Sequence, residues 1–144
     1  MSQFTLEQAR TIIDAAFAKR AEAGFRPLCV AVLDAGGHLK AYCGQDGYSI
    51  LRPDIAQGKA YACLAMGMGN RRIAEMAKTR PEFIQALNGA SGGKMVPVIG
   101  GVLIRDESGA VIGAVGVSGD SSENDETAAI AGIEAAGFKP DTGG

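Results

Sequence analysis

Two blocks of the same kind constrain this chain most: a strand-length apolar run, a glycine-containing turn, and a second run of similar length. The first is Leu28-Cys29-Val30-Ala31-Val32-Leu33, then Asp34-Ala35-Gly36-Gly37, then residues 38–44. The second is Val102-Leu103-Ile104-Arg105, then Asp106-Glu107-Ser108-Gly109, then residues 110–117. Short aliphatic and β-branched runs broken by Asp/Gly turns carry the chemistry of β-hairpins. The run 28–33 is apolar at every position, so its strand is expected to be central and covered on both faces. If Asp34 faces His38, then Leu33 opposes Leu39, Ala31 opposes Ala41 and Cys29 opposes Cys43, which predicts two thiols side by side. Such thiols are either small buried hydrophobes or a redox pair.

Helical signals fill the intervals. Thr5 stands three residues before Gln8, a capping-box spacing, and Ala9, Ile12, Ile13, Ala16 and Phe17 recur at helical period, predicting a helix over 5–23 that stops at Gly24. Pro53 opens a second helix through Ile55, Ala56, Ala60, Cys63 and Leu64 to the break at Met66-Gly67-Met68-Gly69. Asn70 is placed to cap 71–78, Pro81 to start 82–87, and Ser122 to cap 123–136 with Asp125 at the capping-box position. A short strand is expected over 95–99, and the residues after Phe138 read as a frayed tail. No βαβ repeat or interdomain linker interrupts this order. The expectation is one domain over 1–144, α/β of the α+β type, with helices packed on an antiparallel sheet.

Composition excludes several classes. With 144 residues, 47% of them hydrophobic and 21% charged, the chain can bury a core and is not of the disordered type. A formal net charge of -2, with both signs interspersed, provides no basic footprint for nucleic acid or an anionic membrane, so neither partner is expected. Residues 1–10 lack a basic start followed by an apolar stretch, and no apolar run approaches a membrane span, so a cytoplasmic location is expected. Three cysteines without C-x-x-C spacing argue against a disulfide framework or a zinc site, and one histidine excludes a His-rich site within one subunit. No metal centre is expected.

The candidate chemistry is therefore sparse. His38 follows the Gly36-Gly37 turn, where it either caps the hairpin in solvent or reaches a ligand such as heme iron. Arg52, just before the second helix, and Lys59, on it, either hold a carboxylate together or lay their stems along apolar surface with the charges emerging at the helix edge. Gly100, Gly101, Gly113, Gly116 and Gly119 lie in or beside strands, where glycine has no packing benefit, so a helix, a neighbouring subunit or a flat ligand must approach closely. Asp120, Glu123, Asp125 and Glu126 crowd the start of the last helix, where they complement its dipole or supply a general base or cation site.

Four blocks in order, Val32-Leu33-Asp34-Ala35-Gly36-Gly37-His38-Leu39, Asp54-Ile55-Ala56-Gln57-Gly58-Lys59-Ala60, Gly100-Gly101-Val102-Leu103-Ile104 and Gly113-Ala114-Val115-Gly116-Val117-Ser118-Gly119 with Asp125-Glu126, resemble the signature of the GlcG/HbpS family. The resemblance spans nearly the whole chain. It implies a profilin-like or Longin-like five-stranded antiparallel sheet between helices, and a homo-oligomer, dimeric or higher. It also implies a ligand pocket near the subunit interface, onto which Lys59, Gly100, Gly101, Gly119, Asp125 and Glu126 map. Relatives include heme-binding proteins and a heme-binding domain fused to cobalamin adenosyltransferases, so heme or another flat anionic ligand is the implied cofactor, with Arg52, Lys59, Gly100, Gly101, Gly119 and His38 as binding residues. Two other readings stand beside it. One is an enzyme acting on an oxo- or hydroxy-carboxylic acid, with Asp125 or Glu126 as acid/base and Lys59 or Arg52 orienting the substrate. The other is a ligand-free oligomeric accessory protein.

Overall fold

The computed structural model describes residues 3–144. Met1 and Ser2, with which the leader reading begins, lie outside the described residues. In chain order the elements are α1 (Leu6–Ala23), β1 (Cys29–Asp34), β2 (Leu39–Gly44), α2 (Arg52–Met66), α3 (Asn70–Thr79), α4 (Pro81–Ala90), β3 (Gly101–Arg105), β4 (Val111–Ser118), α5 (Ser122–Ala135) and β5 (Lys139–Asp141). The strands form one antiparallel sheet in the order β2-β1-β4-β3-β5. Both expected hairpins form, and β1 joins them by pairing with β4. No described helix is long and apolar enough to cross a membrane.

Local chemistry delimits the helices. Thr5 Oγ1 accepts the Gln8 N–H while Gln8 Oε1 accepts the Thr5 N–H, completing the capping box of α1. Gly24 and Gly67 end α1 and α2 at φ 74° and 69°, the left-handed conformation that glycine adopts without a Cβ penalty.

The two sheet faces differ in side-chain size, and this decides which helix each receives. Val30, Val32, Val102, Ile104, Val115 and Val117 point to one face and pack beneath α1 and α5, with Ile12, Ile13, Ala128, Ala129 and Ile133. The other face presents Ala31, Ala114 and Gly116, small residues that let α2 lie close to the sheet. A Cβ on Gly116 would strike the Ala56 carbonyl and come within 2.8 Å of the Ala60 nitrogen. Beyond α2, Ile73 and Ile84 of α3 and α4 close a smaller core with Ala62 and Met95.

Five expectations are corrected. Asp34 does face His38, with its N–H on the His38 carbonyl at 2.9 Å, and Leu33 opposes Leu39. Lys40 is then an extra residue on the edge strand, so Val32 opposes Ala41 and Cys29 opposes Gly44. A one-residue slip reverses the faces of a strand; Cys29 is buried on the α2 side and Cys43 is exposed, and the two are not neighbours. Asn70 is not a cap but the first residue of α3, fully buried, its Nδ2 donating to the carbonyls of Lys59 (3.0 Å), Val96 (3.3 Å) and Val98 (2.8 Å). Those acceptors lie in the 95–99 segment and on α2, so this segment is held by a side chain and not by a strand ladder. The fifth strand is instead supplied by the presumed tail, where Lys139–Asp141 pairs with β3 and Arg105 Nε donates to Asp141 Oδ2 at 2.9 Å. At α5 the cap is Ser121, one residue earlier than expected, accepting the Asn124 N–H.

Candidate functional site

The close approach of α2 to β4 carries Lys59 to the end of that strand. Its Nζ donates to the Val117 carbonyl at 2.8 Å and to Asp125 Oδ2 at 3.1 Å, and Asp125 Oδ1 accepts the Asp120 N–H at 2.9 Å. Lys59 is 2% exposed and Asp125 1%. The ammonium therefore does not emerge at the helix edge, because the glycine-lined sheet draws the helix in and an internal carboxylate and carbonyl replace water. Burial lowers the Lys59 pKa while the Asp125 charge opposes it; burial raises that of Asp125 while Lys59 opposes it. The pair ties α2, β4 and the start of α5 together. Gly100 belongs to the same cluster: it sits at φ 119°, and a Cβ there would lie 2.6 Å from Lys59 Nζ.

Glu126 faces another way. Its two oxygens take a bidentate contact from Arg71, at 2.7 Å from Nη2 and 3.2 Å from Nε, joining α3 to α5. Both nominated carboxylates thus spend their oxygens on protein donors. Gly101 admits the buried Asn70 amide, Gly113 the Leu33 carbonyl, and Gly119 the Pro27 carbonyl. What approaches these strand glycines is the chain itself.

Arg52 is brought elsewhere. It and Gly119 line a small pocket of about 190 Å³ with Arg26, Pro27, Gly47, Tyr48 and Ser49. Arg52 Nη1 donates to Ser118 Oγ at 3.1 Å, and no carboxylate lies within ion-pair distance of it among the described residues. Arg26 has an acidic partner: Asp120 Oδ1 accepts its backbone N–H at 2.8 Å and lies 3.4 Å from its Nε. The Arg26 N–H, the Asn124 side chain and the Ser121 N–H hold the Asp120 carboxyl well below its ordinary range. Behind Tyr48, the Tyr42 hydroxyl is sealed from solvent without a hydrogen-bond partner, and burial pushes its pKa far up.

Sequence reasoning missed a cleft of about 640 Å³ on the outer side of α2. Its apolar wall is Leu33, Leu39, Leu51, Ile55 and Val96, and its polar groups include Asp54, Gln57, Tyr61 and Lys94. Lys94 Nζ stands 5.6 Å from the centre of the Tyr61 ring. The wall comes from four separated segments, so no local motif marks it; the available signal was Leu39 and Leu51, apolar residues left 51% and 59% exposed. His38 does not line either concavity. Its side chain is 81% exposed, with Nδ1 3.2 Å from Asp34 Oδ1, at the tip of the first hairpin. Among the described residues no group of three or more His, Cys, Asp or Glu is arranged to hold a metal ion.

A five-stranded antiparallel sheet with α1 and α5 on one face and α2 on the other, and an open cleft beside α2, defines a mixed α/β class of fold. The chain belongs to the HbpS-like family: residues 4–134 match the family described as "Haem degrading protein HbpS-like". An uncharacterized 15.0 kDa protein from the dhaT-dhaS intergenic region of Citrobacter freundii is 28% identical over 136 residues, covering 93% of this chain and 92% of that protein. Among solved structures, the Klebsiella pneumoniae protein ORFY superimposes with TM-score 0.84 at 25% identity, over 95% of this chain and 93% of that one. The PduOC:heme complex superimposes equally well, TM-score 0.84 at 22% identity, over 95% and 97%. The latter likeness is one of fold.

Proposed function

We propose that this protein binds a flat, largely apolar molecule bearing an acidic group, with heme the member of that class its family points to, in the cleft beside α2. The observation that carries this reading is the cleft itself: about 640 Å³, open on one side and walled by aliphatic side chains. That volume lies within the ordinary range for small-molecule sites. A porphyrin face would lie against Leu33, Leu51, Ile55 and Val96. Asp54 repels an acidic group, leaving Lys94 as the end at which a carboxylate is held. Tyr61 lines the cleft and is of a type that ligates heme iron, through its phenolic oxygen. Bound heme would supply iron redox chemistry; the chain's own part is to shield one face, hold the carboxylate and offer that oxygen.

The same reading includes assembly into a homo-oligomer. Leu39, Ile50 and Leu51 are 51%, 96% and 59% exposed, and two of them line the cleft, so apolar surface at its mouth is available to a second copy.

Hemin titration tests the reading. We expect one saturating equivalent per chain, a Soret band that changes in Tyr61→Phe and is unchanged in His38→Ala, and loss of uptake when Ile55→Trp fills the cleft. Nonsaturating uptake, or stoichiometric uptake indifferent to Ile55→Trp, would overturn it.

A further inference from the structure

The pocket around Arg52 has a charge balance that the large cleft lacks. Four cations lie at or behind this end of the sheet and α5. Lys59 is neutralised by Asp125, Arg71 by Glu126 and Arg26 by Asp120. Arg52 alone has no carboxylate within ion-pair distance among the described residues, although it is half-buried and one of its nitrogens is fixed on Ser118 Oγ. A guanidinium drawn partly out of water with donors to spare favours a planar oxyanion, which accepts two parallel N–H bonds.

The surroundings narrow the ligand. The pocket holds about 190 Å³, the liquid volume of roughly six waters at about 30 Å³ each, far too little for a porphyrin. Arg52 and Lys59 both act on the Asp125 carboxylate, so two cations face one anion and the single positive charge in excess matches a monoanion. The lining adds the hydroxyl residues Tyr48 and Ser49, and Gly47 at φ 98° brings bare backbone to the wall.

We infer that the pocket formed by Arg52, Tyr48, Ser49, Arg26 and Gly119 is a second binding site, for a small monocarboxylate whose carboxylate takes the Arg52 fork and whose neighbouring oxygen reaches the Tyr48 and Ser49 hydroxyls. It is separate from the cleft beside α2 and stands whether or not that cleft takes heme.

The test is a ¹H–¹⁵N chemical-shift titration of the full chain with sodium lactate, sodium propionate and sodium phosphate at constant ionic strength. The site predicts saturating shifts for lactate at the amides of Gly47, Ser49 and Gly119. Propionate, which lacks the hydroxyl, binds at least about fivefold more weakly, because the hydroxyl donors lose their partner. Arg52→Gln weakens lactate at least about tenfold at an unchanged unfolding midpoint, and Ile55→Trp leaves it unaltered. Should Arg52→Gln fail to fold, Tyr48→Phe with Ser49→Ala, at the pocket rim, abolishes the lactate preference and serves in its place. Shifts that never saturate, equal affinity for lactate and propionate, or phosphate saturating the same amides would overturn the proposal.

Discussion

Removing the ammonium of Lys59 is the sharpest perturbation of this fold. In Lys59→Met a side chain of similar length still fills the space between α2 and β4, but Asp125, 1% exposed, keeps its charge and loses its cation. Breaking a buried pair by deleting one partner typically costs about 3–5 kcal/mol. With a urea slope of about 2 kcal/mol/M for a small protein, the midpoint should fall by roughly 2 M. Asp125→Asn in the Lys59→Met background removes the stranded charge while its amide oxygen still accepts the Asp120 N–H, so the double variant should recover more than half of the loss. The pH dependence has a definite sign. Burial raises the folded-state pKa of Asp125 even with Lys59 present, and more so without it. A raised folded pKa contributes stability below the unfolded value that is lost as pH rises through the folded one. The deficit of Lys59→Met relative to the native protein should therefore shrink on going from pH 7 to pH 5. Urea unfolding followed by circular dichroism measures all three. A single variant costing less than about 1 kcal/mol, or a double variant no more stable than the single, would refute the reasoning.

Further outcomes follow from the packing. Gly116→Ala places a methyl group against the Ala56 carbonyl, so α2 must lift from the sheet, and a loss of at least about 2 kcal/mol is expected in thermal or chemical unfolding. A thiol reagent should modify one cysteine per native chain, Cys43, and all three after unfolding, since Cys29 and Cys63 are buried and burial raises both thiols above their ordinary pKa; mass spectrometry reads the count. Deleting residues 139–144 removes β5 and the Arg105–Asp141 ion pair and should lower stability by about 1–3 kcal/mol, whereas a true frayed tail would cost nothing measurable. Ile50→Asp should shift the protein to smaller mass in light scattering if the exposed apolar mouth of the cleft is an oligomer contact.

The features legible in the sequence are those whose cause lies within a few residues. Thr5 and Gln8 cap α1 because a side chain reaches an N–H three residues away, Gly24 and Gly67 stop helices because only their own φ matters, and the Asp34–His38 and Asp106–Gly109 turns close hairpins locally. The all-apolar 28–33 run announced a covered strand, and the strand glycines announced close approach. The family resemblance followed from the same ordered blocks. Tertiary structure decided the rest, because each remaining feature depends on atoms distant in sequence. Lys40 slips the edge strand and parts Cys29 from Cys43; the presumed tail becomes a strand only because β3 offers it an edge; Asn70 turns inward to satisfy carbonyls from two segments. Lys59 and Arg52, read either as joint holders of a carboxylate or as surface cations, are given different partners by the fold. The first is drawn beneath the sheet end to a carboxylate 66 positions away, and the second stands at a pocket, near enough to feel that carboxylate's charge but with no ion pair of its own. Charge type is written in the sequence, but whether a charge is paired depends on which elements the core packing brings beside it.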